Sequence, residues 1–224
     1  MNDIIQSTKS FKGCENNKLV GTTYSAASAN HPPALFMHGG GQTRFSWHGA
    51  AMDLAKLGVT SITVDARGHG DSDWVPSKNY SFYHYRDDMI EIVEQISQQY
   101  GRAPILIGAS LGGLSGMLAV GEKGAEIFSA LILVDITPTM APSGVDKIQA
   151  FMAANMRDGF ANVEEAADVI AAYMPNRPKP KSLDGLRKNL RQRDDGRFYW
   201  HWDPGFMDGP ATIDTGRGER GQIL

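Results

Sequence analysis

The chain is poor in features that would commit it early to many classes of protein. It has a single cysteine, Cys14, so no intrachain disulfide can form and a disulfide-stapled scaffold is excluded. Neither sign of charge dominates: 22 Lys and Arg face 25 Asp and Glu, a net charge of -3. A near-neutral chain lacks the basic field that draws a protein to nucleic acid or to an anionic membrane surface, so neither is expected as a partner. No apolar run is long enough to cross a bilayer. The opening residues, MNDIIQSTKSFKG, have neither the basic segment nor the apolar stretch of a signal peptide, which makes the cytoplasm the expected location. Phosphate-binding patterns of the GxxxxGK[ST] or GxGxxG kind are missing at the glycine-rich turn near residue 40, and nothing calls for a cofactor or a metal.

What is present is an alternation. Runs rich in β-branched or apolar residues at 18–24, 34–38, 59–65, 103–108 and 130–136 read as strands. Helical patterns lie between them, at about 46–57, 82–100 and 111–121. Strand alternating with helix predicts an α/β fold, a mostly parallel sheet with helices on both faces. After residue 136 the pattern changes. Residues 137–206 read as a helical excursion laid over the sheet: two amphipathic helices, a basic helix over about 183–193, and the aromatic stretch RFYWHWDPGF. Residues 207–224 have almost no apolar periodicity and read as an irregular tail. The expected division is therefore a core over 1–136, a cap over 137–206 and a tail beyond.

Chemistry is concentrated at two glycine-rich turns. Gly108-Ala109-Ser110-Leu111-Gly112 lies between a strand-like and a helix-like run. A sharp strand-to-helix turn needs small neighbours, lifts the serine hydroxyl off the sheet, and places it at a helix N-terminus that favours negative charge. The bland alternative is a serine that only caps a helix. His38-Gly39-Gly40-Gly41 follows another predicted strand, and there a backbone N–H can point into a shared cavity. Gly40, Gly41 and the N–H of Leu111 are the candidate donors of an oxyanion hole; a flexible or phosphate-binding loop is the competing reading. A third signal is DARGHGDSD at 65–73.

Taken together and in this order, HGGG, DARGHGDSD, GASLGG and LVDI resemble the α/β-hydrolase superfamily. The resemblance is greatest to its cofactor-free esterase, epoxide hydrolase and haloperoxidase-like branch. It covers roughly residues 30–206, including helices that match the family's cap. It implies that Ser110 is the nucleophile, and that Arg67, His69 and Asp71 pin a loop. A serine, unlike the aspartate of epoxide hydrolases, would form an unbreakable ether on attacking an alkyl carbon. Ser110 therefore implies acyl chemistry on an ester, thioester, lactone or amide through an acyl-enzyme. In the cap, Phe198, Tyr199, Trp200, Trp202, Met152 and Met174 suggest an apolar acyl or aryl small-molecule substrate, or else glue between cap and sheet.

The base is the difficulty. The six histidines are 31, 38, 48, 69, 84 and 201, and none is placed at Ser110 by its position. The family's histidine follows an eighth strand, and its acid follows the seventh or, in a minority, the sixth. Asp135 matches that minority acid position, although a plain strand-end role competes. No strand-like run follows 206, so the chain is expected to be C-terminally incomplete relative to its relatives. Loss of the triad histidine costs about a millionfold in kcat, with about 10³- to 10⁴-fold retained from the oxyanion hole and binding. Turnover is thus in doubt, and a non-catalytic binding or interaction protein, or a truncated inactive product, are the alternatives. The run ALILVDI would become a sheet edge through which copies could associate.

Overall fold

The computed structural model describes residues 4–25, 30–138, 142–176, 178, 180 and 182–213. The sheet opens with a hairpin, β1 (Ile5–Lys12) and β2 (Lys18–Ser25), paired antiparallel with Phe11 opposite Leu19. β1 is absent from the sequence reading, because most of its side chains are exposed and leave no alternation to read. The parallel part consists of β3 (Ala34–Met37), β4 (Ser61–Val64), β5 (Ile105–Ala109) and β6 (Ala130–Val134). Their spatial order is β1-β2-β4-β3-β5-β6, with β2 antiparallel to β4 and the last four strands parallel. The fold is the expected α/β sheet, mostly parallel. Every residue of β3 and β4 is buried, as expected of central parallel strands covered on both faces.

Helices cover both faces. On one side α1 (His48–Lys56) sets Ala51 and Ala55 against Tyr24, Ala34 and Phe36. On the other lie α2 (Phe82–Tyr100) and α3 (Leu111–Lys123). α2 buries Phe82, Tyr85, Met89, Ile92, Val93 and Ile96, a stripe at helical spacing, and stops where Gly101 turns left-handed at φ 68°.

The excursion after β6 contains α4 (Pro142–Ala153), α5 (Val163–Tyr173), α6 (Asp184–Arg187), β7 (Leu190–Gln192), β8 (Phe198–Trp200) and α7 (Gly205–Asp208). Asn162 caps α5 by accepting the Glu165 N–H at 2.8 Å. The basic helix expected over 183–193 is a correction: only one helical turn forms, and β7 then pairs antiparallel with β8. The reason is local. Gly196 at φ 78° closes a turn in which Arg193 N–H bonds the Arg197 carbonyl, and the following Phe-Tyr-Trp run favours a strand. Residues 207–213, expected within an irregular tail, begin inside α7 and dock on the core, where Tyr80 N–H bonds the Ala211 carbonyl. The remainder of that expected tail, 214–224, lies outside the described residues.

β6 is the terminal strand among the described residues, and Ile132 and Leu133 are 47% and 37% exposed on it.

Candidate active site

Ser110 occupies the single residue between the end of β5 and the start of α3. Its φ of 43° and ψ of -109° lie outside both strand and helix, a strained conformation for a residue with a Cβ. Two glycines permit the bend by being small. A Cβ on Gly108 would stand 2.6 Å from Gly113 N, and one on Gly112 would stand 2.6 Å from the Met37 carbonyl oxygen. The sheet and α3 therefore close directly on each other beneath the serine. Its N–H donates to the Val134 carbonyl at 3.4 Å and its carbonyl accepts the Leu114 N–H at 2.8 Å. The residue itself is exposed, and its hydroxyl makes no hydrogen bond among the described residues.

The glycine loop lies alongside. A Cβ on Gly39 would come within 3.4 Å of Ser110 Cβ. Gly39 N–H donates to Gln42 Oε1 at 3.1 Å, and Gly41 N–H donates to His69 Nε2 at 3.1 Å. Of the candidate oxyanion donors, Gly41 thus has its N–H engaged by His69. Gly40 N–H has no partner among the described residues, and Leu111, first in α3, has none within its helix. Two buried histidines brace this loop. His38 Nε2 accepts the Ala66 N–H at 3.0 Å, which leaves its Nδ1–H to donate to the Gly39 carbonyl at 2.8 Å. Burial lowers the pKa of both rings, His69 to about 3, with the neighbouring His38 adding to the effect.

The loop carrying Arg67, His69 and Asp71 is fixed by buried charge. Asp65 accepts the backbone N–H of Arg44 and of Asp71 and pairs with the Arg44 guanidinium, whose other nitrogen holds Asp71 at 2.8 Å. Arg67, fully buried, grips both carboxylate oxygens of Asp88 at 2.6 and 2.7 Å and reaches Glu15 at 2.8 Å. Such pairs are costly to bury and more costly to break, so they fix one loop geometry.

Side chains of the excursion after β6 roof the glycine loop. A Cβ on Gly41 would lie 3.1 Å from Met152 Cε and 3.7 Å from Trp202 Nε1, and one on Gly40 would lie 3.2 Å from Phe206 Cζ. Met152 and Trp202, two of the candidate substrate-side residues, thus lie against the glycine loop. Trp200 packs instead against Phe160 and Phe151, at ring distances of 5.0 and 6.1 Å. Met174 ends α5, half-buried, its N–H bonded to the Ile170 carbonyl. Phe206 is the contact not singled out in the sequence. It was legible only as one more aromatic in RFYWHWDPGF, and nothing in that run says which ring turns inward.

Residues 34–219 match the profile of the alpha/beta hydrolase family. The chain belongs to that family. Among curated relatives it is 26% identical to Esterase Rv0045c of Mycobacterium tuberculosis over 77% of this chain and 57% of that protein. It is 34% identical to the sn-1-specific diacylglycerol lipase ABHD11 of Mus musculus over 56% of this chain and 39% of that one. The chain thus spans about half the length of these relatives. A solved alpha/beta hydrolase from Novosphingobium aromaticivorans shares its fold at a TM-score of 0.79, with 22% identity, covering 95% of this chain and 73% of the other.

For an alpha/beta hydrolase, the histidines stand in unhelpful places. His48 Nδ1 faces Tyr24 Oη at 3.1 Å and His84 Nδ1 faces Ser81 Oγ at 2.8 Å. His201 is half-buried, with its backbone N–H bonded to the Asn189 carbonyl at 2.9 Å, and burial lowers the pKa of its ring. His31 precedes β3, at the end of the sheet opposite Ser110. His38 and His69 serve the loops. Asp135, the candidate acid, follows β6 immediately beyond the Ala109–Val134 pair, which puts it beside Ser110 in register. It is exposed, with φ 53°.

Proposed function

We propose that the chain carries the nucleophile and oxyanion parts of a serine ester hydrolase, with Ser110 as the attacking group. The observation that carries this reading is the conformation of Ser110: an exposed hydroxyl on a left-handed residue between strand and helix, beside a glycine loop with an uncommitted amide. In the step proposed, Ser110 Oγ bonds the acyl carbon, its proton passes to a base, and the carbonyl π electrons move onto oxygen. The N–H groups of Gly40 and Leu111 stabilise that oxyanion. Its collapse expels the alcohol, which takes up a proton, and water then releases the acid by the same route. An ester with an apolar acyl or aryl group suits the Met152 and Trp202 side of the cleft. The names of the curated relatives, an esterase and a lipase, support the same class of bond.

Asp135 is the candidate acid by register alone. No hydrogen bond joins Ser110 to a histidine among the described residues. A fluorophosphonate probe tests the assignment: mass spectrometry should find the adduct on Ser110 and none in Ser110→Ala. Folded protein that stays unlabelled, or a Ser110→Ala variant labelled equally, rejects it.

The apolar Met152 and Trp202 side of the cleft also suits a second reading, a protein that binds acyl compounds without cleaving them. That reading predicts a rise in melting temperature with short-chain aryl esters and no release of phenol. We also propose that copies associate through β6, whose Ile132 and Leu133 are exposed at the sheet edge. Sedimentation of the chain and of Ile132→Lys should show an oligomer converted to monomer; a monomeric parent rejects the idea.

A further inference from the structure

Three successive glycines have more backbone freedom than any other tripeptide, so the sequence of the loop cannot by itself aim the Gly40 N–H. Aim must come from what grips the loop. Gln42 holds Gly39 from within the same turn, and His38 holds the Gly39 carbonyl. The grip on Gly41 is of another kind, because it comes from a different loop through His69 Nε2.

We propose that His69 is a positioning residue for acyl transfer, its Nε2 accepting the Gly41 N–H and thereby keeping the Gly40 N–H turned toward Ser110. The proposal rests on the serine hydrolase reading above and deepens it. Its chemistry is set by the other ring nitrogen. His69 Nδ1 lies 2.9 Å from the Arg67 carbonyl, which can only accept, so the proton is on Nδ1 and Nε2 keeps its lone pair. The Arg67 carbonyl is itself fixed, because the Arg67 guanidinium is clamped by Asp88. A direct chain of bonds thus runs from the buried Arg67–Asp88 pair through one imidazole to the glycine loop.

The return segment of the cap seals that imidazole. His69 is fully buried, with Phe206 edge-on at 5.0 Å, His38 at 5.2 Å and Tyr85 at 6.4 Å. Its backbone forms a bridge with Trp202, flanked by bonds from Gly70 N–H to the His201 carbonyl and from Asp203 N–H to the Gly68 carbonyl. Asp203, buried, is held in turn by Tyr80 Oη and Lys78 Nζ, both at 2.6 Å, and accepts the Gly205 N–H at 2.9 Å. Those bonds set Phe206 against both the ring and Gly40. The cap and the glycine loop therefore share one fastening, and displacing the return segment would free His69 before it touched Ser110.

A space-filling ring would do none of this, and that difference is testable in the full chain. In ¹⁵N-labelled protein, a scalar coupling should cross from the Gly41 amide to His69 Nε2; its absence overturns the proposal without any mutation. His69→Phe keeps the bulk and loses the acceptor, whereas His69→Gln restores an acceptor. Gly41 amide exchange should be more than about tenfold faster in the Phe variant, with the β3 and β5 amides unchanged, and near the parent rate in Gln. The rate of Ser110 phosphonylation should fall about 10- to 100-fold in Phe and recover to within about threefold in Gln. Equal labelling by parent and Phe variants overturns the positioning role. If the parent serine does not react at all, the hydrolase reading fails on its own, and the Gly41 coupling and exchange alone decide whether His69 holds the loop.

Discussion

The elbow makes a steric demand that one methyl group can test. Gly108 is penultimate in β5, and its own φ is not left-handed, so the constraint there is space alone. An added Cβ would stand 2.6 Å from Gly113 N, 2.7 Å from the Gly112 carbonyl carbon and 2.8 Å from its oxygen. Ordinary van der Waals contact begins near 3.4 Å, so the overlap is about 0.8 Å against main chain, which no rotamer change can relieve. α3 must then move off the sheet, and Leu111, Leu114 and Leu118, all buried, move with it. Overpacking a fitted seam costs about 1–3 kcal/mol, and the upper end applies where the opposing atoms are backbone. For a chain of this size about 3 kcal/mol lowers Tm by about 6–12 °C. Gly112→Ala should behave alike, since its Cβ would press on Met37 of β3. Because both changes open one seam, the double variant should lose less than the sum. Gly49→Ala is the control: it is exposed on α1 with open space around it, and it should gain up to about 1 kcal/mol. Thermal melts followed by circular dichroism would check the series. Gly108→Ala and Gly112→Ala melting within about 2 °C of the parent would refute the close approach of α3 to the sheet.

Other consequences follow from the same geometry. Ser110→Gly should raise stability by about 1 kcal/mol, because glycine adopts φ 43° without penalty, while abolishing fluorophosphonate labelling; a fall in Tm would contradict the strain at the elbow. Asp88→Asn leaves the fully buried Arg67 guanidinium with only the partly exposed Glu15 as counter-charge and should cost about 3 kcal/mol in urea denaturation. His69 and His38 are held neutral in the fold, with pKa values below their ordinary value, so the unfolded chain binds more protons as pH falls below about 6.5. Their contribution is whole above that pH and drains away toward the folded value, about 3 for His69. Stability should therefore decline by up to about 1.4 kcal/mol per pH unit on account of His69 between about pH 6.5 and 4.5, with His38 adding in the same direction, and His69→Gln should flatten the curve. An unchanged slope in that variant would count against a neutral, buried His69.

The sheet was legible because its parallel strands are buried: ALFM in β3 is wholly apolar, and SITV in β4, though it carries Ser61 and Thr63, sits in a run rich in β-branched residues. Ser110 was legible for a related reason, since Gly108 and Gly112 announce a backbone approach that only glycine tolerates. The first strand was not, because a solvated β1 pays its way through main-chain bonds to β2 that leave no trace in side-chain pattern. Over 183–193, charge and length suggested a helix, while the deciding information was Gly196 and the β-prone aromatics three residues on. Of the candidate oxyanion donors, Gly40 and Gly41 are identical in sequence terms. Only the position of His69 in space tells them apart, by taking the Gly41 amide.

Ser110 and Asp135 pose the same backbone problem with different support. Each is a left-handed, non-glycine residue one step past the carboxyl end of a strand, and the two strands are neighbours in register. Such conformations persist only where the surroundings over-determine them. β5 lies between β3 and β6, and its elbow is wedged by Gly108, Gly112 and the bond from Ser110 N–H to Val134. β6 is held by β5 alone among the described residues, with Ile132 and Leu133 open to solvent. The strain at Ser110 is therefore stored in a rigid frame, whereas that at Asp135 hangs on one ladder. Anything that pairs with the free side of β6 would stiffen Asp135 first and, through the Val134 carbonyl, the amide of Ser110 next. One hydrogen bond, from Ser110 N–H to the Val134 carbonyl, would thus couple occupancy of that edge to the backbone of Ser110.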